Sequence, residues 1–126
     1  MAVTAALAAA VILAALAVLQ VCVACGAPFG RLVWGGAHRV LPRRLRMASA
    51  LSVLLYAAFA GVLLARAGVL PGGDTVFVSI ASWVLVGYFT LGVFMNLISR
   101  SPAERWTMTP ACLALALLSL VVALSG

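Results

Sequence analysis

An all-α membrane protein is the fold class this chain predicts: a four-transmembrane-helix bundle with an interfacial, arginine-rich loop between helices 1 and 2. Three observations lead there. Of the 126 residues, 67% are hydrophobic and only 8% charged, against about 25% charged in soluble domains. The apolar residues fall into four runs, each close to the roughly 20 residues a helix needs to cross a hydrocarbon core. Finally, the runs lack the period-two alternation that marks the strands of a membrane barrel. One domain, residues 1–126, accounts for the whole length.

The first span, residues 3–24, has Gln20 as its one strongly polar member. It lacks the basic leader of a signal peptide and is longer than an h-region of about 7–15 residues, so it reads as a retained helix. "CVAC" is a near miss for a lipoprotein cleavage box, with Cys22 where a branched apolar residue belongs. The second span, 47–65, ends at Arg66, and "AGVLPGGD" supplies the Gly and Pro of a helix exit and turn. The third covers 75–98. The fourth covers 108–125, with Thr109 and Pro110 reading as N-cap and first-turn proline. Small residues at four-residue spacing, Ala6, Ala10 and Ala14 in the first span and Ala57, Gly61 and Ala65 in the second, would let helices approach closely.

Charge sets the orientation. There is no lysine, and the net charge of +6 comes from eight arginines set against Asp74 and Glu104. A nucleic-acid partner would need a soluble cationic face with stacking aromatics, which this composition excludes. Arg31, Arg39, Arg43, Arg44, Arg46, Arg100 and Arg105 fall in the connections after spans one and three, and only Arg66 lies on the other side. The positive-inside rule therefore puts residues 25–46 and 99–107 in the cytoplasm and both termini outside, with a bacterial plasma membrane as the simplest host. So one-sided a distribution also argues against pairing with an inverted copy.

The loop "GAPFGRLVWGGAHRVLPRRLR", residues 26–46, is too apolar for a free linker. Phe29 and Trp34 suit the headgroup level, where arginines reach lipid phosphates; a shallow re-entrant dip at "FGRLVWGG" is the alternative. Pro42 reads as the first residue of a helix leading into span two, which places Arg43, Arg44 and Arg46 in its first turn. There the helix dipole disfavours each cation by about 0.3–1 kcal/mol. An anionic leaflet returns about 1 kcal/mol per cation and outweighs that. Arg31, His38, Arg39, Arg43, Arg44 and Arg46 are thus expected to contact anionic lipid headgroups, or more specifically to hold a phosphorylated ligand between a helix N-terminus and bidentate guanidiniums. In the second connection, Ser101, Pro102 and Glu104 have the spacing of a capping box that starts a short interfacial turn. Glu104 could instead tie this connection to an arginine of the first loop.

Near the same end, Gln20, Cys22, Cys25, Ser52, Asn96 and Cys112 share one depth, together with Ser49 and Thr109. Intramembrane polar groups face a bundle interior or a wet cavity, so a pocket open toward the arginine loop is one reading. Local bonding to helix backbone is the other. Cys22 and Cys25 have the CxxC spacing of a redox pair, but the charge bias puts them in the reducing compartment and no second pair accompanies them. His38 is the only histidine, so neither a metal nor a haem is expected. No span carries a midplane carboxylate for proton coupling.

The two inner segments, "GAPFGRLVWGGAHRVLPRRLR" and "MNLISRSPAERWTMTP", resemble an uncharacterised group of small bacterial four-span integral membrane proteins. The resemblance covers both inner loops and the adjoining helix ends. It implies the architecture and draws attention to Gly26, Pro28, Gly35, Gly36, Pro42, Asn96 and Pro110, and it implies no activity. From the residues alone, the expected function is a non-enzymatic accessory or assembly component without a cofactor, whose arginine loop contacts membrane lipid. A homo-oligomer or a membrane-protein partner is left open. A small oligomeric pore or carrier, and a lipid-modifying or thiol-redox enzyme, are the competing readings.

Overall fold

The computed structural model describes residues 1–125. Four long helices, α1 (Ala2–Ala24), α2 (Arg43–Arg66), α3 (Val76–Leu97) and α4 (Pro102–Ser125), make up the bundle, and each is long and apolar enough to cross a membrane. The chain is a multi-pass membrane protein. α1 packs against α2 and α4, and α3 against α4, while α2 and α3 form the loosest seam of the ring.

Helix ends follow local chemistry. Both α1 and α2 stop in a Schellman arrangement, with Gly26 and Gly68 at positive φ and the next amides reaching back, Ala27 N–H to Cys22 O (3.0 Å) and Val69 N–H to Leu64 O (2.9 Å). α2 starts at Arg43, with Pro42 as its N-cap rather than its first helical residue, and Arg43, Arg44 and Arg46 lie at its start as expected. Thr75 caps α3 by accepting from Val78 N–H at 3.3 Å.

α4 corrects the expected start of the fourth span. Thr109 and Pro110 are inside the helix, which runs unbroken from Pro102. Ser101 Oγ accepts from Glu104 N–H at 3.4 Å, whereas Thr109 Oγ1 is buried without a partner. The upstream cap makes its bond and the downstream one does not, so Ser101–Pro102 sets the start. A mid-helix proline is tolerated in membrane helices where neighbours take up the freed backbone groups.

In lipid there is little hydrophobic drive between helices, so close packing of small side chains has to hold the bundle. Ala5, Ala6, Ala9 and Leu13 of α1 join Leu63, Leu85, Phe89, Leu115, Ala116 and Val122 in the core. The anticipated small-residue stripes are only partly used. Ala6 and Ala65 are buried, but Ala14 and Ala57 are exposed and nothing lies near Gly61. An alanine-rich helix offers several equivalent small faces, so spacing alone does not select one. At the end away from the loop, Arg66 Nη2 donates to Ala123 O at 3.2 Å, placing a cation against the C-terminal carbonyls of α4, where the dipole favours it.

Candidate functional site

Between α1 and α2 the chain makes two 3₁₀ turns, Gly30–Leu32 and Trp34–Gly36, and folds back against the end of the bundle. Val33 and Leu41 are buried with Val23 of α1 in a second small core. The fold-back is fixed by polar bonds. Gly30 N–H donates to Arg39 O (2.8 Å), Trp34 Nε1 to Ser49 Oγ (2.8 Å), Gly35 N–H to Glu104 Oε2 (3.1 Å), and Ser101 Oγ to Arg31 O (2.6 Å). Gly36 has φ +73°, and a Cβ there would overlap the Ser101 side chain, so close contact between the loops requires glycine. Trp34 itself has φ +54°, a left-handed conformation that a bulky residue adopts only when its surroundings enforce it.

Glu104 therefore does not close a reciprocal capping box. Its N–H is capped by Ser101, but its carboxylate accepts from the Gly35 amide of the other loop. The two loops are tied together, as the alternative reading of Glu104 has it, but through the Gly35 N–H and not through an arginine. Trp34 stays 41% exposed while its indole N–H donates to a wholly buried serine on α2.

Above this folded loop is a cavity of about 420 Å³. Leu32, Val33 and Trp34 form its floor, with Glu104 beside them, and Tyr56, Tyr88 and Phe89 its ceiling. Phe59 links that ceiling into an aromatic cluster, with ring centroids 5.2 Å from Tyr88 and 5.9 Å from Phe89. Four of the six sequence-predicted pocket residues, Gln20, Ser52, Asn96 and Cys112, line it, one from each helix. Gln20 Nε2 donates to Tyr56 Oη (3.4 Å), and Asn96 Nδ2 donates to Gly92 O (2.8 Å) and Cys112 Sγ (3.2 Å). Cys22 and Cys25 are not in the lining: they sit at the C-terminal end of α1 as free thiols, Cys25 exposed. At about 100° per residue, Cys22 and Cys25 are both turned well away from Gln20, whereas Val23 lies near its face and is buried with it.

The arginines are distributed around this site rather than in it. Arg39, Arg43 and Arg44 are exposed, as is His38. Arg46 Nε turns back to donate to Leu41 O at 2.9 Å. Arg31 meets Arg100 of the second connection across a hollow of about 390 Å³ lined also by Gly36 and Ser101. Sequence reasoning missed Trp34, Tyr56, Tyr88 and Glu104 as cavity residues. The signal for Tyr56 was present, because it lies one helical turn beyond Ser52 on the same face. Among the described residues, no three His, Cys, Asp or Glu side chains come together to hold a metal. Comparison with family models, curated proteins and solved structures finds no match to this chain.

Proposed function

We propose that this is a non-enzymatic accessory protein of a bacterial plasma membrane whose arginine-rich face, on the cytoplasmic side, gathers anionic lipid headgroups. The observation that carries this reading is the fixed presentation of Arg39, Arg43 and Arg44. Their side chains are exposed, while the backbone that bears them is pinned by the Gly30–Arg39 bond and by the start of α2. Arginines carried on a fixed backbone lose less chain freedom on meeting phosphates than those on a flexible tail do, and each guanidinium can engage a phosphate through two parallel bonds.

The proposal is tested on the intact protein in nanodiscs of mixed phosphatidylcholine and phosphatidylglycerol. Native mass spectrometry should find phosphatidylglycerol enriched among retained lipids. Arg43→Ala/Arg44→Ala should reduce that enrichment several-fold, and raising salt should do the same because exposed charges are screened. Equal retention of both lipids by the wild-type protein would overturn the reading.

A further inference from the structure

The cavity above the folded loop contains a buried amide that the protein satisfies on one side only. Gln20 is 7% exposed, and its Oε1 has no partner. Turning the amide over exchanges its oxygen and nitrogen but still leaves one half facing the cavity unbonded. The nearby donors are engaged elsewhere. Ser52 Oγ donates to Ala48 O, Trp34 Nε1 to Ser49 Oγ, and Asn96 Nδ2 to Gly92 O and Cys112 Sγ. At membrane depth no bulk water compensates, so a bare amide half is strongly unfavourable.

The cavity also has a side opening. Leu91 and Met95 line it yet are 61% and 59% exposed, and they stand on α3 beside the loose α2–α3 seam. The Phe59–Tyr88 contact spans the seam, and Trp34, bonded to Ser49 of α2, lines the cavity at the loop end. What reaches the cavity by this route comes from the bilayer.

We infer that the cavity binds a neutral, hydroxyl-headed amphiphile, with its hydroxyl on Gln20 and Tyr56 and its chain passing out along Leu91 and Met95. A hydroxyl both donates and accepts, so it completes either orientation of the Gln20 amide and pairs with the Tyr56 phenol; a carbonyl or ether only accepts. An anionic head would meet the Glu104 carboxyl group, which lines the cavity, and no arginine, because none does. The volume falls within the range of about 300–1,000 Å³ typical of small-molecule sites. This site is distinct from the exposed arginine face and stands or falls independently of it.

Trp34 on the cavity floor is the reporter. A Trp83→Phe/Trp106→Phe protein, which keeps Trp34 as its sole tryptophan, is placed in phosphatidylcholine nanodiscs and titrated with brominated hexadecan-1-ol. Trp34 quenching should saturate, unlabelled hexadecan-1-ol should reverse it, and hexadecyl methyl ether and hexadecanoic acid should compete at least tenfold more weakly. Gln20→Leu should weaken the alcohol at least fivefold. Non-saturating quenching, equal competition by the ether, stronger competition by hexadecylamine than by the alcohol, or an unchanged affinity in Gln20→Leu would each overturn the inference. The competition series needs no cavity substitution, so it decides the matter even if Gln20→Leu fails to fold.

Discussion

Trp34 and Ser49 meet through a 2.8 Å hydrogen bond, from the indole nitrogen to a hydroxyl that is wholly buried near the start of α2. This bond turns the arginine loop from a tether into part of the folded bundle, and it holds Trp34 in the left-handed conformation that aims its ring at the cavity. Trp34→Phe and Ser49→Ala should each lower stability, the first by more because it leaves the serine hydroxyl buried and unpaired, at about 1–3 kcal/mol. Unfolding of the single and double variants in detergent should give a coupling of about 0.6 kcal/mol and at most about 1.7, the range seen for interhelical bonds in membranes. Additive effects would mean that the bond contributes nothing.

Gly36 tests the contact between the two loops. Gly36→Ala faces two penalties, a positive φ and overlap with Ser101, whereas Gly35→Ala faces only the positive φ, since nothing lies near its Cβ. The left-handed conformation costs a non-glycine residue about 1–2 kcal/mol. Gly35→Ala should therefore cost about that much and Gly36→Ala clearly more. Hydrogen exchange at the loop amides should accelerate in step, because opening the Gly36–Ser101 contact frees the Glu104–Gly35 bond beside it.

The competing starts of α4 separate cleanly. Ser101→Ala removes both the cap on Glu104 N–H and the bond to Arg31 O, so it should cost about 0.5–2 kcal/mol. Thr109→Ala removes a hydroxyl that has no partner and should be neutral or stabilising. A larger loss at Thr109 than at Ser101 would place the start of the helix downstream after all.

These positions also mark what could be read from the chain. The four helices were legible because run length and hydropathy are local properties, and the depth of Gln20, Ser52, Asn96 and Cys112 followed from their distance to the arginine-rich ends. Facing is not legible where a helix has several similar sides, which is why Ala14 and Ala57 are exposed where close helix approach is expected and Cys22 and Cys25 lie outside the pocket lining. The folding-back of the loop depends on pairings between residues distant in sequence, Gly35 with Glu104 and Ser101 with Arg31. No local pattern encodes them. Two cap signatures in one helix, at Ser101 and at Thr109, could be ranked only by which one makes its bond.

Sidedness follows from charge that is free to act on the membrane, and Arg66 is engaged internally with Ala123 O, so the end opposite the loop presents little free positive charge. Each exposed juxtamembrane arginine favours an anionic cytoplasmic leaflet by about 1 kcal/mol. With Arg39, Arg43 and Arg44 exposed at one end, the bias toward one orientation should be decisive. Cys25, exposed at the same end, is a built-in probe. In a Cys22→Ala/Cys112→Ala background, an impermeant maleimide added to intact cells should leave Cys25 unlabelled until the membrane is permeabilised. Asp74→Cys, in a background that also carries Cys25→Ala, should label without permeabilisation. The reverse pattern would place the arginine face outside, and its contact with the anionic cytoplasmic leaflet would lose its basis.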